Sequence, residues 1–227
     1  MNLTLIQCKT FLIMNKILFL DTLTTGLSLE RCSIYRIGGV LCKETPLGLE
    51  EIQRFDICSR PGPGARIIDN SLWVGGMTRA KLAYLPEQEK AFSDFMKIIE
   101  GNINLKNPKD KIYLSGFNTS AFDMPFLRNF YNDNKSEDFR NCFYMQAIDL
   151  MSLSAFVLIN EREGMSDFHL ETTAKMFGIS PVRNAKYSPL DNVETCIKMY
   201  LELKKRYFHC GKLKYTKTTE LFKNHNF

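Results

Sequence analysis

Three strand-like segments precede the first helix-like segment of this sequence, and this order limits the folds that are open to it. Residues 17–20 form a short apolar run in a strand that ends at Asp21, and residues 34–42 form a second strand-like segment after a turn at Gly26. Residues 52–58 form a third run. Strands that follow each other this closely are joined by hairpins, because a parallel pair needs a crossover connection of a dozen or more residues. The sequence therefore predicts an antiparallel start to a sheet.

The rest of the chain alternates between helix and strand patterns. Further strands are predicted at residues 111–116 and just before Asp149, and helices at residues 79–84, 86–100, 121–131, 148–158, 169–177 and 191–207. This order indicates an α/β fold with a five-stranded mixed sheet flanked by helices. With 227 residues and 44% hydrophobic content, one sizeable core is expected. We place an N-terminal arm at residues 1–14, one domain at 15–206 and a tail at 207–227.

The formal charge of +5 is concentrated at the C-terminal end. From Cys196 onward there are eight Lys or Arg and two Glu, interleaved with aromatic residues such as Tyr207 and Tyr215. Such a segment can follow a phosphate backbone while its rings stack on bases. A solvated helix end explains the same charges equally well.

The seven Cys form no disulfide framework and no zinc-like spacing. Reduced thiols and an intracellular, cytoplasmic location are expected. Residues 1–14 are fairly apolar but are interrupted by polar residues, so neither a signal peptide nor a membrane span is predicted, and no membrane partner.

Three aspartates stand at the ends of separate predicted elements. Asp21 ends the first strand, Asp123 begins the helix after the fourth strand, and Asp191 begins the last helix. Carboxylates from separate elements suit Mg²⁺ or Mn²⁺, because hard cations take oxygen ligands and share them with phosphates. Each aspartate alone is weak evidence, since Asp is a common cap and turn residue.

The sequences around these aspartates resemble motifs of the DnaQ-like, DEDD-type 3'-5' exonucleases, which have a ribonuclease H-like fold. Residues 19–27 read Phe-Leu-Asp-Thr-Leu-Thr-Thr-Gly-Leu, similar to the first family motif, in which the residue two after Asp21 is Glu and not Leu23. Residues 118–127 read Asn-Thr-Ser-Ala-Phe-Asp-Met-Pro-Phe-Leu and match the second motif. The resemblance extends over about residues 16–206.

The third motif has two possible registers. We lay its Asp on Asp191 and its later Thr on Thr195, which puts Lys186 in the position of the family's general-base His. Using Asn192 in place of Asp191 would lose the match at Thr195.

The resemblance implies a site in which the first Asp bridges two metal ions, the Glu and last Asp complete one of them, and the His accepts a proton from the attacking water. Leu23 supplies no ligand, and a lysine beside carboxylates stays protonated and accepts no proton. Asp21, Asp123 and Asp191 would be the remaining ligands, with weak or absent metal binding. Loss of a general base removes about 10² to 10⁴ in rate.

The sequence leaves three functions open. The favoured one is a nucleic-acid-associated pseudo-exonuclease. The second is an active exonuclease, dependent on Mg²⁺ or Mn²⁺, in which Glu194 and His169 compensate. The third is a protein-interaction or structural module on the same fold.

Partners expected from the resemblance are single-stranded DNA or RNA and a protein of replication or repair. The residues expected to contact nucleic acid lie in the first two motifs and in the basic end: Thr24, Asn118, Phe122, Lys204, Lys205, Arg206, Lys212 and Lys214.

Overall fold

The computed structural model describes residues 15–45, 48–182 and 188–210, with side chains through residue 207. The strands are β1 (Lys16–Thr24), β2 (Ile34–Thr45), β3 (Gly48–Cys58), β4 (Ile112–Gly116) and β5 (Ile148–Asp149). The helices are α1 (Asp69–Val74), α2 (Arg79–Leu82), α3 (Gln88–Glu100), α4 (Asp123–Asp133), α5 (Phe139–Cys142), α6 (Leu150–Val157), α7 (Leu170–Met176) and α8 (Pro189–Cys210). A short 3-10 turn spans Arg162–Gly164.

The strands form one mixed sheet in the order β3-β2-β1-β4-β5. β1 and β3 both pair antiparallel with β2, while β4 is parallel to β1 and β5 is parallel to β4. The predicted five-stranded mixed sheet and its antiparallel start are therefore confirmed. β1 lies at the centre, which explains why its sequence is a continuous apolar run rather than an alternating one.

Successive residues of β1 contribute to two separate cores, one on each face of the sheet. Leu18 and Leu20 pack into the layer that contains α3 and α4. Ile17 and Phe19 pack into the layer formed by α6, α7 and α8. This division follows from the two-residue period of a strand.

The helices differ from the predicted set in two respects. α1 and α5 were not predicted, since both are short and neither has a side chain that caps its first turn. α8 begins at Pro189, two residues earlier than expected, because proline suits the first turn of a helix. α8 also continues to Cys210, so the domain and tail boundary that we placed at residue 206 falls inside a helix.

Two features bear on the predicted cellular environment. Within the described residues, five cysteines are free thiols: Cys32, Cys42, Cys58, Cys142 and Cys196. No helix in the same part of the chain has the length and apolar character needed to cross a membrane.

Candidate functional site

The N-terminal end of α8 packs directly on the strand that pairs with Asp21. Asp21 lies opposite Gly38 in the ladder between β1 and β2. A Cβ atom at Gly38 would lie 2.7 Å from Pro189 Cβ and 3.0 Å from the backbone nitrogen of Leu190. Only a glycine allows this approach, and it brings the first turn of α8 next to Asp21.

Asp21 is partly buried, and its carboxylate is contacted from α8. Asn192 Nδ2 donates a hydrogen bond to Asp21 Oδ1 at 3.3 Å. Asp21 Oδ2 is buried and finds no hydrogen-bond partner within the described residues. Burial raises the pKa of Asp21 well above its ordinary value, the negative charge of Asp123 raises it further, and the Asn192 hydrogen bond opposes both.

Asp123 is the first residue of α4, and Thr22 of β1 binds its carboxylate by hydrogen bonds. Its Oδ1 accepts hydrogen bonds from the backbone nitrogen and the hydroxyl of Thr22, at 2.9 Å and 2.7 Å. Burial raises the pKa of Asp123 to about 7, although the Thr22 hydrogen bonds lower it. The structure thus brings Asp21 and Asp123 together, in an environment that disfavours two negative charges.

The two candidates for the third motif have different surroundings in the first turn of α8. Asp191 is buried, and its backbone carbonyl accepts a hydrogen bond from Thr195 Oγ1 at 2.9 Å. Thr195 Oγ1 also accepts from the backbone nitrogen of Val182 at 3.0 Å. The side chain that contacts Asp21 is that of Asn192.

Leu23 lies in an apolar cluster beside the site. Leu23 is buried with Tyr35, Leu72 and Leu82. A Cβ atom at Gly75, at the end of α1, would lie 2.7 Å from Leu23 Cδ1. The position that resembles the family's Glu therefore lies beneath α1, among apolar side chains that pack well against a leucine.

Asp149 and Cys196 complete the surroundings, and only the first was considered from the sequence. Asp149 caps α6 through the Met151 backbone nitrogen, and its charge contributes to the raised pKa of Asp123. Burial raises the pKa of Cys196, and the charges of Asp21 and Asp123 raise it further. Cys196 lies one helical turn after Asn192, a spacing that could have placed it near the site from sequence.

The described side chains do not fit the pair of metal ions that the resemblance implies. Within the part of the chain that the structure describes, no group of three or more His, Cys, Asp or Glu residues is arranged to hold a metal ion. Asn192 donates an amide hydrogen bond to Asp21, and the nearby Leu23 has an apolar side chain. Burial raises the pKa of the carboxyl groups of both Asp21 and Asp123. The roles of Asp21, Asp123 and Asp191 as metal ligands remain predictions.

The two residues proposed to compensate for the missing groups lie elsewhere. Glu194 forms an ion pair with Arg54 of β3, with a distance of 2.5 Å between Oε1 and Nη1. His169 precedes α7, its side chain is 85% exposed, and its Nδ1 lies 3.4 Å from Asp167 Oδ1. Neither contact involves Asp21 or Asp123. Lys186 lies outside the described residues.

The predicted nucleic-acid contacts of the first two motifs differ in their exposure. Asn118 follows β4, is exposed and has a positive φ of 65°, a conformation that asparagine tolerates. Thr24 is buried, and its hydroxyl donates to the carbonyl of Gly26 at 2.8 Å. Phe122 is partly buried and packs against the core with Phe126, at 5.0 Å between ring centroids. Only Asn118 of these three offers an exposed side chain.

The described basic residues near the end of α8 contact carboxylates. Lys204 pairs with Glu44 of β2, and Lys205 and Arg206 pair with Glu202. At a rise of about 1.5 Å per residue, Lys204 lies about 20 Å along the helix from Asp191. These residues are therefore not part of the Asp21 site. Lys212 and Lys214 lie outside the described residues.

Comparison with solved structures identifies the fold. E. coli exonuclease I in complex with a dT13 oligonucleotide matches 88% of this chain with a TM-score of 0.65 at 17% identity. The product-bound exonuclease I structure and the ExoI/SSB-Ct complex each match 88% of the chain with a TM-score of 0.65 at 18% identity. The chain has the fold of the matched part of exonuclease I. This is a ribonuclease H-like fold, as the motifs implied.

The match to exonuclease I is limited to structure and to part of that protein. The chain covers 43% of the dT13-bound exonuclease I chain and 46% of the product-bound one, so it spans less than half their length. No family model and no curated protein sequence matches this chain.

Proposed function

We propose that this protein binds single-stranded nucleic acid on an exonuclease I fold and does not hydrolyse it at a useful rate. The fold supports the nucleic-acid part of this proposal, because exonuclease I structures contain dT13 and dA16 oligonucleotides. The surroundings of Asp21 support the loss of hydrolysis.

The hydrogen bond from Asn192 to Asp21 is the main observation that supports the loss of hydrolysis. An amide that donates to Asp21 Oδ1 occupies one oxygen of the central carboxylate and brings no negative charge. If Asn192 is the counterpart of the family's last Asp, then two of the four carboxylate positions are held by neutral groups, Asn192 and Leu23. A site with two carboxylates attracts divalent cations much less than one with four.

A nuclease assay tests the loss of hydrolysis. Single-stranded DNA and RNA are incubated with Mg²⁺ or Mn²⁺, with Asp21→Ala as the matched control. We expect no release of mononucleotides that depends on both the metal and Asp21. Release that requires the metal and disappears in Asp21→Ala would show that the protein is an active exonuclease.

The register of the third motif has its own test. Asn192→Asp restores a carboxylate at the residue that contacts Asp21, so calorimetry should detect tighter Mn²⁺ binding than in the parent protein. Asp191→Asn serves as the matched change one residue away and should leave Mn²⁺ binding unaltered. Unaltered Mn²⁺ binding in Asn192→Asp, together with altered binding in Asp191→Asn, would identify Asp191 as the motif residue.

Nucleic-acid binding is tested by fluorescence anisotropy with a labelled dT oligonucleotide. We expect affinity at low salt that falls as the salt concentration rises, because phosphate contacts release counterions. The absence of binding at low salt would exclude this part of the proposal.

The pairing of the described basic residues favours a second candidate function, a protein-interaction module. Lys204, Lys205 and Arg206 contact carboxylates of this chain, so their charges are partly neutralised before any phosphate is bound. Exonuclease I has been solved with SSB-Ct, which makes a protein of replication or repair a reasonable partner class. Failure to bind oligonucleotides at low salt, with retained folding, would favour this module.

A further inference from the structure

An apolar groove runs between α6 and α8, on the opposite end of α8 from Asp21. It has a volume of about 630 Å³. Its lining consists of three residues of α6 and five of α8: Leu153, Phe156, Val157, Tyr200, Leu203, Lys204, Arg206 and Tyr207. Phe156 is 80% exposed and Tyr207 is 75% exposed. A contiguous apolar surface of this kind is typical of a site that is covered by another segment or another molecule.

The chain enters β1 beside this groove. Asn15, the residue before β1, donates from Nδ2 to Glu44 Oε2 at 3.1 Å, and its carbonyl accepts from the Glu44 backbone nitrogen at 2.8 Å. The other carboxylate oxygen of Glu44 accepts from the Tyr200 hydroxyl at 2.8 Å and pairs with Lys204. Tyr200 and Lys204 line the groove, so the Glu44 carboxylate contacts both Asn15 and the groove wall.

The alternation of β1 places Asn15 on the face of the sheet that carries the groove. Ile17 packs with α6 and α8, and side chains two residues apart point to the same face. Lys16 points to the other face, where its Nζ contacts Asp110 at 2.6 Å. The Asn15 side chain therefore lies on the side of the sheet where α6 and α8 lie.

The composition of residues 1–14 suits an apolar groove. They include one charged side chain, Lys9, and several apolar residues that could fill the space: Leu3, Leu5, Ile6, Phe11, Leu12 and Ile13. Residues 211–227 are a poorer occupant, because they contain four lysines and one glutamate, and charged groups are costly to bury against an apolar lining.

The reach of residues 1–14 is also sufficient for the length of the groove. The wall between Tyr200 and Tyr207 spans about 10 Å of helix, at about 1.5 Å per residue. An extended chain advances about 3.3 Å per residue, so half of residues 1–14 is enough to cross the groove.

We propose that residues 1–14 dock into the groove between α6 and α8 and cover Phe156. The segment then acts as an intramolecular strap that secures α6 to α8 and the start of β1.

A double-mutant cycle tests the docking. Removal of residues 1–13 and the substitution Phe156→Asp should each lower the urea midpoint of unfolding, and the double variant should unfold at the midpoint of the weaker single variant. Tyr84→Asp is the matched control, because Tyr84 is an exposed aromatic residue outside the groove. Its effect should add to that of the truncation. Additive effects of the truncation and Phe156→Asp would overturn the proposal.

A spin label on Cys8 gives a direct measurement. The label is attached in a Cys58→Ser/Cys210→Ser background, because the cysteines at 32, 42, 142 and 196 are buried. Docking should broaden the amide signals of Leu153 and Phe156 and leave those of α3 sharp. Uniformly sharp signals would overturn the proposal.

Sedimentation separates the other occupants. A dimer that dissociates in Phe156→Asp but persists after removal of residues 1–13 would assign the groove to a second copy of the chain. A monomer that binds an apolar fluorescent dye equally well with and without residues 1–13 would leave the groove open for another protein. Either result would overturn the intramolecular assignment.

Discussion

Asp21 is partly buried and Asp123 is buried, and the environments of both carboxyl groups favour protonation. For Asp21 the causes are burial and the charge of Asp123, and for Asp123 the main cause is burial. The hydrogen bonds that oppose these shifts come from Asn192 and Thr22. Among the described residues no cation contacts either group, so hydrogen bonds alone oppose the rise in the two pKa values.

Asp123→Asn tests this through the pH dependence of stability. The folded-state pKa of Asp123, about 7, lies above the value of about 3.9 for an unfolded chain. The folded protein therefore binds more protons between these values, and the free energy of unfolding falls as pH rises from about 4 to about 7. Urea denaturation should show a smaller fall in Asp123→Asn, whose side-chain oxygen still accepts from Thr22. Asp69→Asn, at an exposed position of α1, should keep the parent slope, and equal slopes in all three proteins would contradict the assignment.

Leu23→Glu tests whether the first motif can be repaired by one substitution. A carboxylate at this position would be buried among Tyr35, Leu72 and Leu82, where the Tyr35 hydroxyl, which has no hydrogen-bond partner within the described residues, is an available donor. We expect the free energy of unfolding to fall by about 3 to 5 kcal/mol at pH 8. Leu23→Met conserves volume and polarity and should change it by less than about 1.5 kcal/mol. A Leu23→Glu protein as stable as Leu23→Met would mean that the position still opens to the site.

At the scale of elements, the position of α8 decides which side chain reaches Asp21. The helix rests on Gly38 through Pro189 and Leu190. That contact fixes the rotation of the first turn, and consecutive helix residues point about 100° apart. Asn192 reaches Asp21 because of this rotation.

Gly38→Ala should displace this turn. The added Cβ would approach the Leu190 backbone to 3.0 Å, which no side-chain rotation can relieve. We expect a loss of about 1 to 3 kcal/mol in the free energy of unfolding, and a shift of the Asn192 side-chain amide signals in NMR spectra. Gly164→Ala is the matched control, since no atom lies within 4 Å of its new Cβ. If Gly38→Ala lowers the free energy of unfolding no more than Gly164→Ala does, the contact between α8 and Gly38 is not tight.

The same elements show how much could be predicted from sequence. The long strands and α3, α4 and α8 were found because their apolar periodicity is strong. α1 was missed because it has six residues and Ile68, before its first residue, supplies no capping side chain. The choice between Asp191 and Asn192 depends on the packing at Gly38, and the covering of Leu23 depends on α1. Both are tertiary contacts that local sequence does not encode.

At the scale of the whole molecule, β1 contributes to two cores, and β2 also contributes to both through Ile37 and Val40. Leu18 lies in the core with α3 and α4, and its neighbour Phe19 lies in the core with α8. Both side chains are fully buried. Loosening β1 from either face therefore removes support from the other, and we expect the two layers to unfold together.

Leu18→Ala and Phe19→Ala test this cooperativity. Each should lower the free energy of unfolding, by about 2 to 5 and about 3 to 5 kcal/mol respectively. Near-ultraviolet circular dichroism, which reports on buried aromatic residues such as Tyr131, and far-ultraviolet circular dichroism should give one common urea transition in each variant. Native-state hydrogen exchange should show reduced protection in α3 and α8 alike, whichever face is altered, because both helices open through global unfolding. Leu27→Ala, at an exposed position after β1, should change stability by less than about 0.5 kcal/mol. Loss of protection in α8 alone after Phe19→Ala would show instead that the layer of α6, α7 and α8 opens independently of the rest of the sheet.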